Sequence, residues 1–246
     1  MQPWRDEWFA TPLRSASALL WRGVEAQHRV ATLRLVDSLE DQATLERLLE
    51  TSKPPLPEAA QGLHYLLATP FRYRSPYGSR FRAGTDPGVW YGAKERETAC
   101  TEVGYWRWRF LMDSAGLRDG ELVTEHTFFQ AQVKGVVLDL RREPWSEAAR
   151  AWTKRDDYAP CQALARAARA HGKVQWIRYA SVRRAGGTCG AVLAPKALAL
   201  PDAHRLETWV CKVTAHQALM LHDEDRLTIP IVPCAPGNAT QDRASP

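Results

Sequence analysis

Three side chains in the first half of the chain have the types and spacing for chemistry: Arg80, Tyr91 and Glu102 stand at equal steps of eleven residues within RFRAGTDPGVWYGAKERETACTE. A guanidinium forks onto phosphate through paired, charge-assisted hydrogen bonds and keeps its proton near neutrality. A phenol ring lies against a flat heterocycle. A carboxylate fixed where water is thin stabilises a cation developing beside it. Together they suit a dinucleotide whose glycosidic bond is broken, with the cation on its diphosphate and the acid beside the ribose carbon. Each also has a plainer reading: Arg80 as a solvated edge-strand cation, Tyr91 as an ordinary buried aromatic, Glu102 as a solvated helical acid.

The elements that must position them read as strand, turn, strand and helix. Trp90 and Tyr91 adjoin on a short strand predicted over Val89–Tyr91, so they point to opposite faces and one enters the core. Glu102 falls on a helix predicted over Thr98–Phe110, with Glu95 and Thr98 near the same face. Further strands are predicted at Leu122–Val133, Val136–Leu140, Val174–Tyr179, Ala191–Leu193 and Thr208–Val213. A second helix is predicted over Tyr158–His171, stopped by Gly172. Helices and strands mix without regular alternation, which is an α+β pattern.

Upstream, Trp21, Val24, His28, Ala31 and Leu35 recur at steps of three and four, and the chain from Ser15 to Glu50 reads as helical. Asp41 reads as the cap of a short second helix carrying Leu45, Leu48 and Leu49. SKPPLP at 52–57 ends it, because proline cannot donate to the helix ladder. The reading divides the chain into a helical N-terminal extension over 1–62, a main domain over 63–235 and a small, polar, disordered tail over 236–246.

At 246 residues the chain is long enough to bury a sizeable core, and its ten tryptophans belong in core or cleft walls. The net charge of +5 favours anionic ligands but lacks the basic blocks of a dedicated nucleic-acid binder. Five widely spaced cysteines make neither a disulfide framework nor a zinc motif, which points to a reducing cytoplasm. No apolar run is long enough for a membrane span. His222 in HDEDR matches no standard metal spacing, and RAGGTCG at 184–190 is not a phosphate-binding loop.

PFRYR at 70–74, GSRFRAG at 78–84, WYGAKERETACTE at 90–102 and WIRYAS at 176–181 together resemble the RES domain family, in the family's order. The resemblance implies an ADP-ribosyltransferase-like core of mixed, split β-sheets with flanking helices, preceded here by the N-terminal helical extension. It implies the toxin of a toxin–antitoxin pair that degrades NAD, by phosphorolysis to nicotinamide and ADP-ribose-1″-phosphate, partnered by an Xre-type helix-turn-helix antitoxin. NAD is then a substrate, inorganic phosphate the co-substrate, and neither cofactor nor metal is expected. The family's two arginines fall on Arg72 and Arg80, its tyrosine on Tyr91, its glutamate on Glu102 and its serine on Ser181. Arg74, two residues after Arg72, competes with it for the same strand face.

The implied roles are pyrophosphate binding for Arg72 and Arg80, packing on nicotinamide for Tyr91, stabilisation of the oxocarbenium ion for Glu102 and ligand positioning for Ser181. A lone serine in this setting is more often a turn residue, since its hydroxyl closes local backbone bonds. An ADP-ribosyltransferase acting on a macromolecule and an NAD glycohydrolase are rivals, since all three chemistries pass through the same cation. A rival of another class is a single-strand nucleic-acid binder using GYWRWRF at 104–110, although rings at this spacing on a helix more often pack inward. No direct nucleic-acid contact is expected on the enzyme reading, and a homodimer stays open.

Overall fold

The computed structural model describes residues 2–26, 35–73, 75–201 and 206–231. The expected α+β class holds: nine strands among these residues join one mixed sheet, with helices packed against it. The strands are β1 (Arg14–Glu25), β2 (Trp90–Ala93), β3 (Leu122–Asp139), β4 (Trp176–Ala180), β5 (Thr188–Val192), β6 (Leu198–Ala199), β7 (Leu206–Val213), β8 (Gln217–His222) and β9 (Asp225–Pro230). The helices are α1 (Leu39–Ser52), α2 (Tyr65–Arg72), α3 (Arg96–Asp113), the single turn α4 (Ala149–Trp152) and α5 (Ala159–His171).

Sheet order is β1-β2-β5-β4-β3-β7-β8-β9, with β6 on β3 and a further pairing of β1 with β3. That last pairing closes β1, β2, β5, β4 and β3 into a ring. β3 makes it possible: its long run pairs with β1 along one edge and with β7, β6 and β4 along the other. The halves expected as split sheets are therefore joined through one strand.

The helical reading of the N-terminus needs correction. Residues 14–25 form β1, antiparallel to β3 from Arg14 opposite Val137 to Glu25 opposite His126. Alanine and leucine favour helices weakly, and tertiary pairing overrides such a preference. The strand signal was present as period two: Ala16, Ala18 and Leu20 pack on one face, into a cluster with Trp90, Phe129, Ala131, Val133, Trp176 and Val192. Gly190 makes room for Leu20, since a Cβ there would stand 2.5 Å from its Cδ1. His28, Ala31 and the tail over 236–246 lie outside the described residues. The helix after Asp41 is present as α1, but its cap is Ser38, whose Oγ accepts from the Asp41 amide at 3.0 Å.

A second, larger cluster fills the opposite side of the sheet, where α3 and α5 pack over Phe81, Phe128, Leu138, Trp152, Tyr179, Cys189 and Trp209. α5 ends as expected on Gly172, which takes the left-handed conformation at φ 78°. The β8–β9 hairpin escaped the strand reading. Its apolar alternation, Ala218 and Met220 against Leu227 and Ile229, is short, and the turn is made by Asp223 at φ 49° rather than by glycine. Among the described residues no helix is long and apolar enough to cross a membrane.

Candidate active site

The loop from Ser75 to Gly88 is held from α5. Gln162 Nε2 donates to the carbonyls of Ser79 and Arg82, Arg166 pairs with Asp86 at 2.9 Å, and Arg169 donates to the carbonyls of Pro87 and Gly88. Arg80, 7% exposed, leaves this loop inward. Its Nη1 donates to the carbonyls of Trp152 and Lys154 at 3.0 and 2.9 Å, and its guanidinium lies over the Tyr158 ring at 4.7 Å.

β2 separates its two aromatics as expected. Trp90 is fully buried in the ring of strands, and Tyr91 faces the other side. The Tyr91 hydroxyl accepts from the Phe81 amide at 2.9 Å and shares a hydrogen bond of 2.8 Å with Ser79 Oγ. Burial pushes its pKa up to about 12, so it stays protonated.

α3 begins after Glu95, whose Oε2 accepts from Thr98 Oγ1 and from the Thr188 amide, both at 3.0 Å. Two turns on, Glu102 Oε1 accepts from Ser181 Oγ at 2.7 Å. The direction of that bond is fixed by the turn after β4, in which the Arg183 and Arg184 amides donate to the same Ser181 oxygen at 3.2 and 3.1 Å. With its lone pairs taken, the Ser181 hydroxyl gives its proton to the carboxylate. The turn reading of Ser181 holds, and its hydroxyl also orients Glu102. Cys189 lies 3.8 Å from the same carboxylate oxygen, and burial and the nearby charge raise its pKa well above the usual thiol value.

Arg80, Tyr91 and Glu102 all line one cavity of about 290 Å³. Arg72 does not. It is the last residue of α2, not a strand residue, and it ties that helix to α1 through Glu50 at 3.0 Å and the Pro54 carbonyl at 2.7 Å. Arg74 lies outside the described residues.

Further side chains line the same cavity. Arg183 lies 3.5 Å over the Tyr105 ring and donates to the Tyr158 hydroxyl and the Arg155 carbonyl, so Arg80 and Arg183 share Tyr158. Arg22 of β1 reaches over Trp90 and donates to the Tyr91 carbonyl at 2.8 Å, while its Nε is buried without a partner. Burial pulls its pKa down to about 10. The hydrogen bonds of these three guanidiniums run to carbonyls and a phenol rather than to carboxylates, leaving their charge available to an anion. Trp21, Trp106, Arg107, His126, Tyr179 and Cys189 complete the principal walls. Within GYWRWRF, Trp108 is buried and donates to the Ala215 carbonyl, and Trp106 alone of its tryptophans lines the cavity.

A buried arginine, an aromatic and a serine-held carboxylate thus meet at one cleft of an α+β fold. The RES domain family model matches residues 55–213, and the chain belongs to that family. No curated protein matches the sequence significantly. Among solved structures, the chain is similar to one in the crystal structure of the M. tuberculosis MbcT–MbcA toxin–antitoxin complex, at 17% identity and a TM-score of 0.46, over 82% of this chain and 87% of that one. β1, with Arg22 and Trp21, lies outside the stretch that the family model matches.

Proposed function

We propose that the protein cleaves the bond between nicotinamide and ribose in NAD, with inorganic phosphate as acceptor, as the toxin of a toxin–antitoxin pair. One observation carries the reading: Arg80, Tyr91 and Glu102, from a loop, a strand and a helix, meet in a single cavity, with Glu102 held by Ser181. Arg80 and Arg183, joined through Tyr158, take the pyrophosphate in place of the expected pair of Arg72 and Arg80, and Arg22 adds positive potential. Tyr91, fixed at its hydroxyl, offers its ring to nicotinamide.

As the glycosidic bond breaks, its electron pair moves to the pyridinium nitrogen and neutral nicotinamide leaves. The ribose carbon becomes an oxocarbenium ion facing the Glu102 carboxylate, which attracts it strongly where water is excluded. A phosphate oxygen then bonds to that carbon, giving ADP-ribose-1″-phosphate. NAD is the substrate, and no resident cofactor or metal takes part. Family membership supports an ADP-ribosyltransferase-like ancestry for the core, a cytoplasmic setting and an Xre-type helix-turn-helix antitoxin as partner.

Nicotinamide release from NAD by the purified protein tests the reading. In Glu102→Gln, which keeps shape and removes charge, turnover is expected to fall roughly a hundredfold or more, the usual loss when one preorganised electrostatic group is removed. Near-normal turnover in that variant removes Glu102 from the mechanism.

A further inference from the structure

We propose that the end of this cavity formed by Trp106, Arg107 and His126 is the subsite for the adenine ring, with Trp106 as its stacking surface and His126 as its polar contact. The inference rests on the cavity being an NAD site and assigns the half of the dinucleotide that Arg80, Tyr91 and Glu102 leave unplaced.

The cavity runs along two elements. One face of α3 lines it with Ala99, Glu102, Val103, Trp106 and Arg107, so Trp106 stands about 6 Å beyond Glu102 along the helix axis. β1 lines it from Trp21, which opposes Ala93 two residues from Tyr91, to Glu25, which opposes His126. Four residues of strand cover about 13 Å, too far for one ring to bridge. The Glu25 and His126 end, which α3 reaches through the pair of Arg107 with Glu25, therefore lies apart from Tyr91.

Its chemistry fits an uncharged heterocycle. Trp106 is 44% exposed although it is the largest kind of apolar side chain. His126 is 2% exposed and its Nδ1 has no protein partner, while Nε2 engages Thr124 Oγ1 at 2.9 Å. A buried polar atom without a partner is costly and rare, and a small shift of the ring, which lines the cavity, would bring it to a ligand edge. Burial lowers the His126 pKa to about 4, so the ring is neutral at neutral pH and offers a hydrogen bond without charge. Arg107 is already paired with Glu25 at 2.7 Å, so phosphate is drawn instead to Arg80 and Arg183.

Calorimetric binding of AMP and of nicotinamide mononucleotide to the full chain tests the assignment. Trp106→Ala is expected to weaken AMP binding about tenfold, the loss of one aromatic–base stack, and to leave nicotinamide mononucleotide binding unchanged. Trp106→Phe should restore most of the AMP affinity. Because Trp106 is half exposed, these variants keep the fold even where His126→Ala fails to. Equal AMP affinity in the wild type and Trp106→Ala, or no AMP binding by the wild type, overturns the subsite even if NAD is cleaved. AMP binding that depends on Trp106 in a protein that leaves NAD intact supports the nucleobase subsite and sinks the activity instead.

Discussion

Tyr91 and His126 show how single side chains are committed at this site. The Tyr91 hydroxyl is the partner of both the Phe81 amide and Ser79 Oγ, so Tyr91→Phe leaves two polar groups without it. The expected cost is about 1–3 kcal/mol, read from the urea midpoint. An unchanged midpoint would show that the hydroxyl does not hold the loop. His126 titrates near 6.5 when unfolded and near 4 when folded, so between these values the unfolded chain binds the extra proton. Its contribution is complete above about pH 6.5 and is lost as pH falls towards 4, on the order of 3 kcal/mol in all. Stability measured against pH should fall across that window, and His126→Gln should flatten the fall. Arg80, Tyr91, Glu102 and Ser181 were legible because each stands in a short motif. Arg22 was not, because its partner Tyr91 lies 69 positions away and no local pattern links them.

At the scale of elements, β1 decides whether the cavity exists. It supplies Trp21 and Glu25 to one wall and closes the ring of strands through β3. Leu20→Ala, at a position 2% exposed inside that ring, is expected to cost about 2–5 kcal/mol of stability. A thermal midpoint close to that of the wild type would mean that β1 is dispensable. α5 was legible because its apolar periodicity and the glycine stop agree with the helix it forms. β1 was misread because the steps of three and four run from Trp21 past its end to Leu35 and mask its short alternation, while the residues it pairs with stand more than a hundred positions on. Arg72 was misplaced for a related reason: the motif around it continues a helix, and Glu50 and Pro54 hold its guanidinium on the surface.

For the molecule as a whole, membership of the RES family and the convergence of a cation, a ring and an acid in one cavity point to the same chemistry. On the proposed mechanism water, phosphate and a macromolecule would all meet the same oxocarbenium ion, so the product tells them apart. The direct measurement is the product formed when the purified protein meets NAD with and without inorganic phosphate. ADP-ribose-1″-phosphate, formed with phosphate and absent without it, is the expected result. NAD left intact in both mixtures, or ADP-ribose found on a macromolecule, would contradict it.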